Sequence, residues 1–345
     1  MYTYGSQLPN ENVIKTNFAT FVFMALFQTQ FGVQPDCVFC HKRRGREMKK
    51  FIHIVCGVCL ILLGLPGMAA ADSKFAFQSS TSLSTWLWDT SKIVSDQESI
   101  IHNLVNNNVK VLLLQIDTTL EQKHYKEFIS KATANGIRVH ALDGAPGWVA
   151  NNGTTLQQIF LKWLNNYQES ASSNEKFSGI HLDVEPYEHE QYEDNTNEFL
   201  EEYQSMMMTF RNQADPLQLE FGIDIPFWFY GVQYNTKYGS GNMAEWLCKN
   251  VEFITIMAYR DAATGTNGIM GISAAEMKLF EKYKVKGTIA VETGRLAEEY
   301  QFVTFYEEDK AYMNQQLELV YQNYKDNPAF HGIAIHHYDS WMTMK

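Results

Sequence analysis

The chain has 345 residues, with 28 Lys and Arg against 39 Asp and Glu and a formal net charge of −11 at pH 7. Residues 1–71 hold seven of the basic and three of the acidic side chains, so 21 against 36 remain beyond Ala71, a net of −15. That balance excludes polyanions as partners: neither nucleic acid nor an anionic membrane surface is expected, because both are bound by an excess of Lys and Arg.

The first 71 residues differ in kind from the rest. Met48-Lys49-Lys50 precedes "FIHIVCGVCLILLGLPG", and Met68-Ala69-Ala70-Ala71-Asp72 follows. A basic start, an apolar run and an Ala-x-Ala site make a bacterial secretory signal peptide over 48–71, with Met48 as the expected start. Residues 1–47 are then an untranslated or unstructured extension. The alternative is a cytoplasmic extension that makes the run a signal anchor, held N-terminus inside by "HKRRGREMKK". An apolar run of about 17 residues is short for a permanent span. Export is therefore expected, with membrane attachment through residues 51–67 only where the segment stays uncleaved. Cys37-Val38-Phe39-Cys40-His41 has haem-attachment spacing. A segment ahead of an export signal stays on the wrong side of the membrane for that chemistry, so no cofactor is expected. Beyond Ala71 only Cys248 remains. No internal disulfide can form there, and folding must rest on an ordinary core in an expected monomer.

From Asp72 onward, short apolar runs alternate with amphipathic helical patterns. Eight strands are predicted: "STWLW" (84–88), "VKVLLLQI" (109–116), "IRVHAL" (137–142), "SGIHLDVE" (178–185), "LQLEFGIDIP" (217–226), "EFITIMAY" (252–259), "KGTIAVE" (286–292) and "HGIAIHHY" (331–338). Ser95-Asp96-Gln97-Glu98 has capping-box spacing ahead of "SIIHNLV", and Gly136 stands where a helix-ending Gly belongs. Further helices are expected over 154–171, 194–213, 241–250, 273–284 and 307–325. Alternation of this kind implies parallel strands with right-handed crossovers. The prediction is an α/β chain, a single (β/α)8 TIM barrel over 72–345 with at most one turn of closing helix and no second domain. An open doubly wound sheet would want a Gly-rich turn after the first strand, and "WLWDTSK" has none.

In such a barrel the site forms at the C-terminal strand ends. The polar residues there are Asp117, Asp143, Asp183, Glu185, Asp224, Tyr259, Glu292, His336, His337 and Tyr338. Aromatic residues stand beside them at Trp88, Trp148, Phe227, Trp228, Tyr230 and Trp341. Carboxylates among aromatic platforms suit sugar rings, which stack on aromatic faces while their hydroxyls bind acids. Read on a period of two, His181, Asp183 and Glu185 share one strand face, and two inward carboxyls cost several kcal/mol unless paired or solvated.

"SGIHLDVE" resembles the fourth-strand signature of glycoside hydrolase family 18, the chitinase-like barrels, written D-x-x-D-x-D-x-E. "FITIMAYRD" is similar to that family's sixth-strand M-x-Y-D, while "LEFGIDIP" and "HGIAIHHYDSW" stand where its fifth and eighth strands belong. The resemblance implies Glu185 as general acid, Asp183 as the residue that orients the substrate's N-acetyl group, and Tyr259 as its hydrogen-bond partner. Ser178 and His181 stand at the first two Asp positions, and Arg260 replaces the Asp after the Tyr. These departures point to an altered substrate, or to a barrel that binds sugar without cleaving it.

Two other schemes use the same residues. Glu185 with Glu292 is similar to the acid/base and nucleophile pair of retaining glycosidases, although Val184 stands where that clan has Asn. His181, Asp183 and Glu185 with His336 or His337 form a weaker metal-ligand pattern, and no metal is expected. The bland readings stand beside these. His181 and His336 fit hydrogen-bonded core positions, Trp88, Phe227 and Trp228 fit barrel filling, and Asp117 and Asp143 fit turn caps. The expected substrate binders are Trp88, Trp148, Asp224, Trp228, His336, Tyr338 and Trp341, and the expected partner is a carbohydrate.

Overall fold

A computed structural model describes residues 75–345. The extension 1–47, the signal or anchor segment 48–71 and the Cys37–His41 pattern lie outside the described residues.

The eight predicted runs form one closed parallel barrel. In chain order the strands are β1 (Ser82–Leu87), β2 (Val109–Gln115), β3 (Arg138–Asp143), β4 (Gly179–Leu182), β5 (Glu220–Pro226), the hairpin strands β6 (Gln233–Thr236) and β7 (Gly239–Asn242), then β8 (Phe253–Met257), β9 (Lys286–Glu292) and β10 (Phe330–His336). The ring runs β1-β10-β9-β8-β5-β4-β3-β2 and closes on itself. Its strands are apolar on both sides, as expected where helices cover one face and the barrel interior the other: Val111, Leu112, Leu113 and Leu114 are all buried along β2.

The helices dock by one stripe each. Gln122–Ala134 buries Tyr125, Phe128, Ile129 and Ala132, an i, i+3, i+4, i+7 set that makes a single apolar face. Gly136 follows in the left-handed region, φ +73°, and ends the helix as its position predicted. The next helix, Gly153–Ser170, stacks Trp163 and Tyr167 against that face, with Tyr125 and Tyr167 also packed on Phe177.

Two glycines shape the barrel interior. A Cβ on Gly179 would lie 2.7 Å from the His140 ring, and one on Gly222 would lie 2.8 Å from Nδ1 of His181. Their missing side chains leave room for the two imidazoles.

Four local expectations are corrected. The helix after β1 begins at Gln97 with Asp96 as N-cap and no side-chain cap; Ser95 bonds its neighbour Asp96 instead, because a short helix, Lys92–Ser95, already occupies the expected cap. β4 ends at Leu182, so Asp183 and Glu185 lie in the loop just above it, where Pro186, lacking an N–H, stops the ladder. β10 ends at His336, and the closing helix Tyr338–Thr343 runs beyond one turn. The β6–β7 hairpin has no apolar alternation, having the sequence "QYNT" and "GSGN". It is held by the helix Thr196–Leu217, through Asn235 N–H to Asn197 Oδ1 (2.9 Å) and Thr236 Oγ1 to Gln204 Oε1 (2.6 Å).

Among the described residues no helix is long and apolar enough to cross a membrane.

Candidate active site

Four carboxyl groups converge at the C-terminal mouth of the barrel. Asp183 and Glu185 come from the loop above β4, Asp224 from β5 and Glu292 from the end of β9. They fall into two chemical classes.

Asp224 and Glu292 are each paired with an imidazole and supported by strand β1. Asp224 is 2% exposed; its Oδ1 meets Nε2 of His181 at 2.8 Å and its Oδ2 accepts from the Trp86 indole at 3.2 Å. Glu292 is equally enclosed. Oε1 accepts from the Thr293 and Gly294 amides at 2.8 and 2.5 Å, and Oε2 meets Nδ1 of His336 at 2.7 Å. Beyond the end of β1, the Trp88 indole donates to Nε2 of His336 at 2.9 Å. An indole N–H only donates, so Nε2 carries the lone pair and Nδ1–H points at Glu292.

Asp183 and Glu185 have no such support. Both side chains keep a partly exposed surface, yet Oδ1 of Asp183 is covered and has no hydrogen-bond partner. Glu185 (φ −110°, ψ 83°) is the N-cap of the single-turn helix Pro186–Glu188. That turn brings Tyr187 back over its own neighbour but one, and the Tyr187 hydroxyl donates to Oε2 of Glu185 in a short hydrogen bond. Tyr187 is held at its ring by Trp228, with centroids 4.7 Å apart, and by Phe229.

The proton affinities of Asp183 and Glu185 separate from that of Glu292. Burial raises the Asp183 carboxyl well above its ordinary range, and the charges of Asp224 and Glu185 add to it. Burial pushes Glu185 up to about 7, with the Tyr187 bond and His336 opposing and Asp224 reinforcing. Glu292 is held below its ordinary value: burial works against this, but the charge and hydrogen bond of His336 prevail. His336 moves up, because the pull of Glu292 exceeds the effect of burial. Pairs of acids driven apart by their surroundings are the pattern of acid–base sites.

The structure brings Asp183, Glu185, Tyr259, Asp224, Glu292 and His336 together. Tyr259 is buried, lies 5.9 Å from the His336 ring, and is raised well above its ordinary value by burial and by all four carboxylates. Trp88 is partly buried and joins the group through His336. The other expected binders pack elsewhere. Trp148 is buried between Phe160 and Phe210, both at 5.8 Å, in the helical layer. Trp228 backs Tyr187. Tyr338 starts the closing helix and accepts from Asn103 of the outer helix Gln97–Asn106 at 3.0 Å. Trp341 is 3% exposed in the core.

Asp117 caps its own turn through Thr119. Asp143 bonds Gln115 and the Gly144 amide, and burial lifts it to about 6. Arg260 is stacked between Phe227 and Phe302, at 5.0 and 5.3 Å, and bonds Asn267. It ties three loops together, and the mouth carboxylates take no part in its shift. His181 is turned to Asp224, and no group of three or more His, Cys, Asp and Glu among the described residues is arranged to hold a metal ion. Sequence reasoning missed Trp86 and Tyr187. The first stands two residues before Trp88 on the inward face of β1; the second follows Glu185-Pro186 in the loop after β4.

No family model and no curated protein sequence matches the chain. Solved structures do match in fold. The spore cortex-lytic enzyme SleL of Bacillus megaterium is 11% identical with a TM-score of 0.47, over 74% of this chain and 70% of that one. A chitinase from Chromobacterium violaceum is 9% identical with a TM-score of 0.47, over 76% and 96%. Catalytic domain 2 of the Group II chitinase of Ostrinia furnacalis is 11% identical with a TM-score of 0.43, over 62% of this chain and 64% of that one, so the match spans less than two thirds of that domain. The likeness is one of barrel fold.

Proposed function

We propose that the chain is an exported, monomeric glycoside hydrolase that cleaves a neutral or N-acetylamino-sugar glycan, with Glu185 as general acid. The observation that carries this reading is the state of Glu185. Among the described residues it is a carboxyl at the barrel mouth with no salt-bridge partner, raised to about 7, beside a second carboxyl whose Oδ1 has no hydrogen-bond partner. A structural carboxylate would be paired and ionised, as Glu292 is; a proton donor needs a pKa near its working pH.

In the reaction, the Glu185 O–H bond breaks as its proton passes to the glycosidic oxygen. The C1–O bond breaks with it, and the substrate's own acetamido oxygen bonds to C1. Asp183 takes the acetamido N–H on its unpartnered oxygen, and the Tyr259 hydroxyl donates to the acetamido oxygen. Water then adds at C1 as the bond between C1 and the acetamido oxygen breaks, giving its proton to the Glu185 carboxylate and restoring both the acid and the acetamido group. Substrate-assisted hydrolysis of this kind departs from the two-carboxylate scheme.

One observation favours a second reading. Glu292 is held ionised while Glu185 is held protonated, the division a nucleophile and an acid need. Three of the roughly four lone-pair positions of the Glu292 carboxylate are already filled by Thr293, Gly294 and His336, which leaves one for attack. Paired aryl glycosides bearing a 2-acetamido or a 2-hydroxyl group separate the readings. Turnover of the acetamido substrate alone supports the substrate-assisted route. Equal turnover of both, with trapping by a 2-fluoro glycoside, supports Glu292. Saturable binding of oligosaccharides with no turnover of any glycan would replace both with a sugar-binding barrel.

A further inference from the structure

The general acid has two oxygens, and only one of them is free to act. Tyr187 holds Oε2 of Glu185 in a short hydrogen bond, and its ring cannot swing away: Trp228 crosses it edge-on at 4.7 Å and Phe229 at 6.2 Å. The turn that carries it is equally fixed. Pro186 sets one backbone angle, and the Glu188 amide bonds the Glu185 carbonyl at 3.0 Å. A buried phenol in a fixed turn, bonded to one oxygen of the carboxyl, selects which oxygen faces the ligand.

We propose that Tyr187 is a positioning residue for the acid: it fastens Oε2 of Glu185, so that Oε1 alone carries the proton and delivers it. The role rests on Glu185 being the acid. It gives Tyr187 two effects that a packing residue lacks. Because the phenol stays protonated and donates, it stabilises the carboxylate more than the acid, and so tempers the rise that burial imposes on Glu185. It also fixes the proton's direction, which acts on turnover and not on substrate affinity. The titratable groups around Glu185 act through separate elements: Asp183 on the same loop, Asp224 from β5, His336 from β10, Glu188 on the turn, Tyr259 beyond β8 and Tyr203 from the helix Thr196–Leu217.

The test is the pH profile of kcat/KM for a cleaved aryl glycoside, measured for wild type, Tyr187→Phe, and a protein carrying a ring-fluorinated tyrosine at position 187. Loss of the hydroxyl should move the alkaline limb up by about one pH unit, since a hydrogen bond to a charged group is worth about that much. It should also lower kcat about tenfold with KM nearly unchanged. The fluorinated ring, a stronger donor of the same shape, should move that limb down. It also decides the matter if the Phe variant does not fold. An active wild type whose alkaline limb and kcat are indifferent to both changes overturns the role of Tyr187 and leaves Glu185 standing. A wild type that cleaves no glycoside overturns the functional reading instead. The ¹³C titration of the Glu185 carboxyl then decides Tyr187 by itself: an upward move in Tyr187→Phe supports the clamp, and no move refutes it.

Discussion

Glu292 and Glu185 are the same side chain at the tops of two strands of one barrel, and their surroundings give them opposite chemistry. Around Glu292 every donor is fixed: two backbone amides on one oxygen, and on the other an imidazole that is held in turn by Trp88. Asp224 repeats the scheme with His181 and Trp86. On the far side Glu185 has one phenol and Asp183 has an oxygen with no partner. A carboxylate whose lone pairs are filled by rigid donors is stabilised as an anion; one facing an underfilled, partly covered space keeps its proton. Two inward carboxylates can therefore be structural and two reactive within one mouth, and neither burial nor strand position distinguishes them. Their donors do.

The comparison can be broken at several points. Glu185→Gln should have the largest effect, lowering kcat by about 10²- to 10⁴-fold with oligosaccharide binding retained, since an amide cannot transfer a proton. Glu292→Gln should lower kcat only about tenfold if Glu292 is an anchor and not a nucleophile; a loss as large as that of Glu185→Gln would make it the nucleophile. Trp341→Ala should cost about 3–5 kcal/mol of stability, as for other buried aromatic truncations, while leaving KM unchanged. Unfolding by denaturant together with steady-state kinetics checks both parts. His181→Ala strands the buried Asp224 carboxylate and should cost about 1–3 kcal/mol. Trp88→Phe keeps the ring and removes only the N–H, so it should be the mildest change, about 1 kcal/mol.

The two sides also answer pH in opposite directions. Glu185 sits above its ordinary 4.5, at about 7, so the folded chain keeps a proton that the unfolded chain has lost. Stability should fall as pH rises from about 4.5 through 7, and Glu185→Gln should flatten that slope. Glu292 sits below 4.5, so its contribution is present above that value and lost as pH falls through its lower folded pKa. Glu292→Gln should lower stability above about pH 4.5 and flatten the acid-side slope instead. As a proton donor, Glu185 should also make kcat/KM fall as pH rises through about 7.

Much of the fold could be read from the chain because its signals are local. Each barrel strand falls within a short, mostly apolar run, and Gly136 ended its helix as its conformation requires. The β6–β7 hairpin escaped notice because both strands are polar and held by a helix, so no apolar period marks them. The site was legible as a set of polar residues at strand ends, but its division was not. His181 and Asp224 are 43 positions apart, and only the register of β4 on β5 and the space over Gly222 bring them together. Trp148, Trp341 and Tyr338 were drawn to the site by residue type, which does not say which way a ring faces. Tyr187 lay in plain sight after Glu185-Pro186, but a tyrosine in a loop points nowhere until the turn that carries it is known.

The central claim, that the mouth holds one protonated acid opposite one fixed anion, is tested most directly by ¹³C NMR titration of the Asp and Glu carboxyl carbons, assigned with Glu185→Gln and Glu292→Gln. Glu185 should titrate near pH 7 and Glu292 below 4.5. The reverse order, or two ordinary carboxylates titrating together near 4.5, would contradict it.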